Sequence, residues 1–206
     1  MSGWLEKFLD VLALLYALAL FPGPIFWMII HPGINFWRRI GTRSYWIALP
    51  LWIANAVVLL LFRGRLFAAR IERHAWMWIA GVALICLSTF IVRRISREFT
   101  PRRLVGMPEI DPAHHSRGIV KTGIYGRIRH PRYTATMLTF WGLAFLTGAY
   151  GIFLLAILTV VMYLMVTPIE ERELRNEYGT DYESYARAVP RFLPRFRRAA
   201  NFQHSE

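Results

Sequence analysis

The sequence predicts an all-α polytopic membrane bundle of about five spans, and three observations carry that prediction. Of the 206 residues, 55% are hydrophobic and only 18% charged, with 8 Trp and 14 Phe, a composition outside the range of an ordinary soluble domain. The apolar residues fall in blocks near the length of about 20 residues that crosses a hydrocarbon core about 30 Å thick. Arginine clusters sit at the block edges, where they meet lipid phosphates and set orientation.

The first block runs from Phe8 to Ile30, interrupted by Pro22-Gly23-Pro24, which either kinks the helix or turns it back. A long apolar stretch with no small-x-small cleavage pattern after it reads as a retained helix rather than a signal peptide. The second block, Tyr45 to Phe62, carries Pro50 and Asn55. Trp76 to Val92 holds no charged residue and stops at Arg93-Arg94. The stretch from Tyr133 to Met165 is too long for one span, and Gly148-Ala149-Tyr150-Gly151 near its middle predicts a helical hairpin. The whole, 1–206, reads as one membrane domain, with N-terminal spans over 1–100 and a polar, site-bearing region over 117–196.

Charge sets the expected orientation. Of the 25 Lys and Arg, 10 lie between Arg93 and Arg132 and 7 follow Glu170, so both regions and the C-terminus are expected at the cytoplasmic face. Five spans then put Arg63, Arg65, Arg70 and Arg73 on the opposite side, against the positive-inside rule. Because the +12 net charge arises from clusters beside spans, the expected partners are membrane lipids and not nucleic acid. Cys86, the one cysteine, reads as a small packing residue. No histidine pair stands at i, i+3 or i, i+4 and there is no G-x-G, so neither a metal centre nor a Rossmann or P-loop nucleotide site is expected.

Two stretches concentrate specific polarity, Lys121 to Tyr133 before the hairpin and Glu170 to Phe196 after it. A hairpin returns the chain to the side it left, so these segments must meet at one face. Pro131 suits the first turn of a helix, and Arg127, Arg129 and His130 beside that N-terminus favour an anion such as a carboxylate or phosphate. Lipid anchoring is the plainer role for such a basic run. Glu170-Glu171, so close to the hydrocarbon, call for a hydroxyl or cationic partner. Gly179 has the look of a C-cap, and Thr180 with Glu183 that of a capping box. Tyr182 and Tyr185 share a face of the next short helix and read as packing residues, and Pro190 ends it.

Thr122-Gly123-Ile124-Tyr125, Arg129-His130-Pro131-Arg132-Tyr133, Glu170-Glu171 with Leu174, Tyr178-Gly179, Tyr182, Tyr185 and Val189-Pro190-Arg191-Phe192-Leu193-Pro194 together resemble the isoprenylcysteine carboxyl methyltransferases and the related phospholipid methyltransferases. The resemblance covers about residues 117 to 196. It implies S-adenosylmethionine as cofactor, held by Arg117, Gly118, Ile119, Val120, Tyr125, His130, Pro131, Arg132, Tyr133 and Glu170. Glu171 and Arg129 are the catalytic candidates, Glu171 as base should the acceptor be an amine. Tyr125 and Tyr133 are the expected adenine wall. The implied acceptor is lipophilic, an isoprenylcysteine-like carboxylate first and a phospholipid amine second. Two positions depart from the family pattern: Val166, where the animal isoprenylcysteine enzymes carry an Arg, and Arg132, where a small or apolar residue is usual. A sterol-type reductase using NADPH and a non-catalytic lipid-binding scaffold are the readings from other classes.

Overall fold

The computed structural model describes residues 3–98 and 118–194; Arg117, the Arg102 and Arg103 cluster and the far C-terminus lie outside the described residues. Among the described residues every extended element is helical: α1 (Gly3–Leu20), α2 (Gly23–Ile30), α3 (Ile34–Ile40), α4 (Ala48–Leu61), α5 (Arg63–Ala68), α6 (Ala75–Glu98), α7 (Pro131–Thr147), α8 (Tyr150–Tyr178) and α9 (Thr180–Ala188). By length and composition, three helical stretches are apolar enough to cross a membrane, Gly3–Leu61, Ala75–Glu98 and Tyr150–Tyr178.

The prolines near residue 22 kink the first span and do not reverse it. The Phe21 and Phe26 amides still bond the carbonyls of Ala17 and Pro22, so α2 continues the direction of α1. Reversal comes later, through α3 and the 3-10 turn over Gly41–Ile47, where Gly41 has φ +63°. The chain then passes back along α4, forward along α6, back along α7 and forward along α8. Gly148, left-handed at φ +66°, closes α7, and α8 starts two residues on at Tyr150, as the apolar pattern predicted for the hairpin.

One sequence expectation fails in an informative way. Glu170 and Glu171 do not follow the second hairpin helix; they belong to it, because α8 runs without a break to Tyr178. The predicted capping box is also unformed: Thr180 begins α9, and Gly179 at φ +53° both closes α8 and serves as the N-cap, its carbonyl accepting from the Glu183 amide.

Two of the four arginines on the hairpin-turn side, Arg70 and Arg73, are paired with carboxylates. Arg70 pairs with Asp10 at 2.6 Å and with Glu6 at 3.2 Å, and Arg73 reaches Glu6. Both guanidiniums donate to carbonyls at the end of α7, Arg70 to Thr147 and Arg73 to Leu146, where the helix dipole favours a cation. Hydrogen bonding to Asp10 raises the Arg70 pKa further. These two arginines act as helix caps, so they carry little weight in the positive-inside balance.

Helices α6 and α7 approach closely where glycines face each other. A Cβ on Gly142 would lie 2.8 Å from the Ile85 side chain and 3.0 Å from the Gly81 carbonyl oxygen, and one on Gly81 would meet Leu146 at 2.7 Å. Small residues that let backbones approach are the usual means of joining helices in lipid, where apolar burial offers no drive. Outward side chains such as Ile79, 71% exposed, suit contact with lipid. Gly142→Val is expected to lower stability by about 1–3 kcal/mol through overpacking, read as a lower unfolding midpoint in detergent; an unchanged midpoint would contradict this contact.

Candidate active site

Local sequence fixes how α7 begins. Pro131 occupies its first position and His130 its N-cap, with no side-chain cap bond. The segment after α9 lies across that helix start: the amides of Arg129 and His130 donate to the carbonyls of Pro190 and Arg191, at 2.8 and 3.0 Å, and the Thr134 hydroxyl donates to that of Phe192. The two polar stretches that the hairpin was expected to bring together therefore interlock backbone to backbone.

Glu171 sits at the centre of this junction with no exposed surface. Arg129 donates to its Oε1 from Nε and Nη2, at 3.1 and 2.8 Å, and Arg191 to its Oε2 from Nη2 at 2.8 Å. Arg175, one turn along α8, reaches Oε2 at 3.4 Å, and His130 Nε2 donates to Oε1 at 3.2 Å. The remaining Arg129 nitrogen, Nη1, donates to the carbonyls of Ala186 and Val189 at the end of α9. The anion that Arg129 and His130 were expected to attract is thus supplied by the protein itself, while Arg127 is exposed.

His130 and Glu170 form the adjoining pair. Tyr133 donates its hydroxyl to Glu170 Oε2 at 2.8 Å, and His130 Nδ1 stands 3.5 Å from the same oxygen. Burial opposes a charge on His130, but the carboxylates of Glu170 and Glu171 outweigh it and hold the imidazole pKa above its usual value. The His130 and Tyr133 rings are near-parallel at 5.4 Å, and Tyr133 continues onto Tyr163 at 4.3 Å.

Above this pair lies a cavity whose walls include Gly118, Ile119, Val120, Tyr125, His130, Pro131, Arg132, Tyr133 and Glu170. All nine described members of the predicted cofactor set line it; Arg117 lies outside the described residues. Arg129 borders it as well, whereas Glu171 does not. Trp27 and His31, which the sequence reading left out of the site, also line it, as do Glu173, Leu174, Tyr178, Tyr182 and Tyr185. His31 Nδ1 bonds Glu173 at 2.7 Å, Glu173 also pairs with Arg38, and the Trp27 and His31 rings stack at 5.2 Å. No local motif announces His31, because its partner lies 142 residues away.

A second, apolar cavity of about 770 Å³ opens among α1, α2, α4, α6 and α7, lined by aromatic side chains such as Tyr16, Phe26, Tyr45 and Trp52. Trp27, Arg132 and Tyr133 belong to both cavities. A polar chamber therefore meets an apolar one across three side chains.

Residues 76–181 match the phospholipid methyltransferase family. Curated relatives include methanethiol S-methyltransferases from Crocosphaera subtropica, 36% identical over 34% of this chain, and from Pseudomonas deceptionensis, 27% identical over 65%. A second such enzyme from Bradyrhizobium diazoefficiens is 35% identical over 35% of the chain. The matched part spans only 27%, 48% and 27% of those relatives respectively.

Removing Glu171 would strand the buried guanidinium of Arg129. Glu171→Ala is expected to cost about 3–5 kcal/mol, seen as a large fall in thermal stability, while Glu171→Gln is milder because it keeps the shape. Wild-type stability in Glu171→Ala would show that the junction does not depend on this carboxylate.

Proposed function

This chain belongs to the phospholipid methyltransferase family, and from that premise we propose that it is an integral membrane methyltransferase that uses S-adenosylmethionine and acts on a lipophilic acceptor. One observation carries the reading: a polar cavity lined by the predicted cofactor residues meets an apolar cavity across Trp27, Arg132 and Tyr133. A water-soluble donor and a lipid-soluble acceptor need two chambers of opposite character that share a seam. The chain is read as a single membrane domain, its N-terminal spans supplying the acceptor chamber.

The donor set suits the cofactor chemically. Glu170, His130, His31 and Glu173 offer partners for an amino acid group and a ribose, while Ile119, Tyr125, Tyr178 and Tyr185 offer an apolar, aromatic wall. When bound, S-adenosylmethionine supplies an electrophilic methyl on a sulfonium. The protein's part is to align two reactants for an in-line displacement, and proximity alone contributes about 7–11 kcal/mol in well-oriented cases. Tyr133, held by its bond to Glu170 and by stacking on His130 and Tyr163, is the rigid element at the seam.

The acceptor chamber has no acidic side chain in its described lining but does include Arg93 and Arg132. An anionic nucleophile, a carboxylate or a thiolate, is favoured there over the ammonium of a phospholipid headgroup. Such an acceptor needs no general base, and Glu171, closed in by Arg129, His130, Arg175 and Arg191, is assigned a positioning role. Arg129 likewise acts through Glu171 and the end of α9.

Calorimetric titration in lipid nanodiscs tests the reading. S-adenosylmethionine and S-adenosylhomocysteine are expected to bind and NADPH not; His130→Ala and Glu170→Gln should each weaken binding about tenfold or more. Binding of NADPH alone would indicate a reductase, and binding of none of the three a lipid-binding scaffold. A cytoplasmic face for the cavity is supported by the charge balance, because two of the arginines on the opposite side are paired with carboxylates. Reporters inserted at Lys121 and after Pro194 should both report cytoplasm, and one after Gly64 the other side; a split between the first two would refute the hairpin topology.

A further inference from the structure

Tyr182 is 1% exposed. It packs edge-on against Tyr185 at 6.0 Å, with the Arg175 guanidinium 5.9 Å from its ring centre. Its neighbour Tyr185 donates a hydroxyl bond to the Tyr125 carbonyl at 2.7 Å. The Tyr182 hydroxyl, equally buried, has no hydrogen-bond partner among the described residues. Buried tyrosine hydroxyls are hydrogen-bonded as a rule, because leaving one unmade forfeits its hydration. Tyr182 is also one of the residues that line the polar cavity.

The cavity has two chemically distinct ends. Along α8 its lining advances from Glu170 and Glu173 to Leu174 and Tyr178, about 12 Å at the helical rise of about 1.5 Å per residue. The first end is charged, joined by His130 and His31. The second is an aromatic nest in which Tyr182, Tyr185, Ile119, Leu174 and Tyr178 pack together. An adenosyl donor divides in the same way, into a charged amino acid group and an uncharged planar base.

Resting on the methyltransferase reading above, we propose that the Tyr182 hydroxyl hydrogen-bonds the adenine base of the methyl donor, which lies in the aromatic nest. The expected adenine wall thereby moves from Tyr125 and Tyr133 to the α9 end of the cavity, and Tyr182 gains a role beyond packing. Burial, reinforced by the Glu171 carboxylate, holds the phenol pKa well above its usual value. The group therefore stays a neutral donor at physiological pH. It lies one residue past the family match, which ends at 181.

Tyr182→Phe removes the hydroxyl and keeps the ring. Titrations of the full chain in nanodiscs with S-adenosylhomocysteine and with 5′-methylthioadenosine, which lacks the amino acid group, are the test. The variant should lose about three- to tenfold in affinity for both ligands equally, as expected for one neutral hydrogen bond. Its ligand-free thermal midpoint should equal or exceed that of the wild type, because no protein bond is lost. Unchanged affinity for both ligands, or a loss confined to S-adenosylhomocysteine, overturns the assignment; a lower ligand-free midpoint does so too, by showing a partner within the protein. Failure of the wild type to bind either adenosyl ligand would instead overturn the methyltransferase reading, and this inference with it.

Discussion

The carboxylate of Glu171, shut away from solvent among Arg129, His130, Arg175 and Arg191, is the constraint on which the C-terminal half depends. A lone buried charge at the edge of a membrane is unfavourable, and here the protein meets it by folding two other segments onto α8 around one side chain. Arg129 comes from the entry to α7, Arg175 from the turn of α8 beyond Glu171, and Arg191 from the segment after α9. Each segment is fixed in direction because the guanidinium fork has few ways to meet a carboxylate. The backbone bonds of Arg129 and His130 to residues 190 and 191 then follow from the same junction.

The site inherits its geometry from that junction. With the Nε2 edge of His130 committed to Glu171, its Nδ1 edge faces Glu170, and the ring stacks on Tyr133. Tyr133 in turn stands at the seam between the polar and apolar cavities. A residue with no access to either cavity thus decides where the side chain between them is held. The opposite end of the bundle is built on the same economy, with Asp10, Glu6 and the α7 carbonyls absorbing Arg70 and Arg73.

Much of the fold was legible because membrane helices announce themselves locally. The spans, the Gly148 turn and Pro131 at the start of α7 are properties of contiguous residues, read from hydropathy and backbone preference. The nine described cofactor candidates also line one cavity, since the hairpin forces the two polar stretches together. Boundaries were less legible: Glu170 and Glu171 read as the end of a membrane helix because hydropathy falls there, yet charged residues are good helix formers and α8 continues. Thr180 looked like an N-cap, but Gly179, at φ +53°, takes that position, and its carbonyl accepts from the Glu183 amide.

By itself the sequence determined the bundle, its hairpin and the motifs that gather at one face, for these depend on periodicity and composition within short windows. Only the tertiary structure decided which polar groups are partners and which remain open. Glu171 and Glu170 are adjacent in sequence and identical in chemistry; one is closed in by cations and the other faces the cavity, because successive residues on a helix point about 100° apart. His31 joins the site from a distant helix break, and Tyr182 differs from Tyr185 only in what lies within reach of its hydroxyl. Reach of that kind is a property of three-dimensional packing, and no window of the sequence contains it.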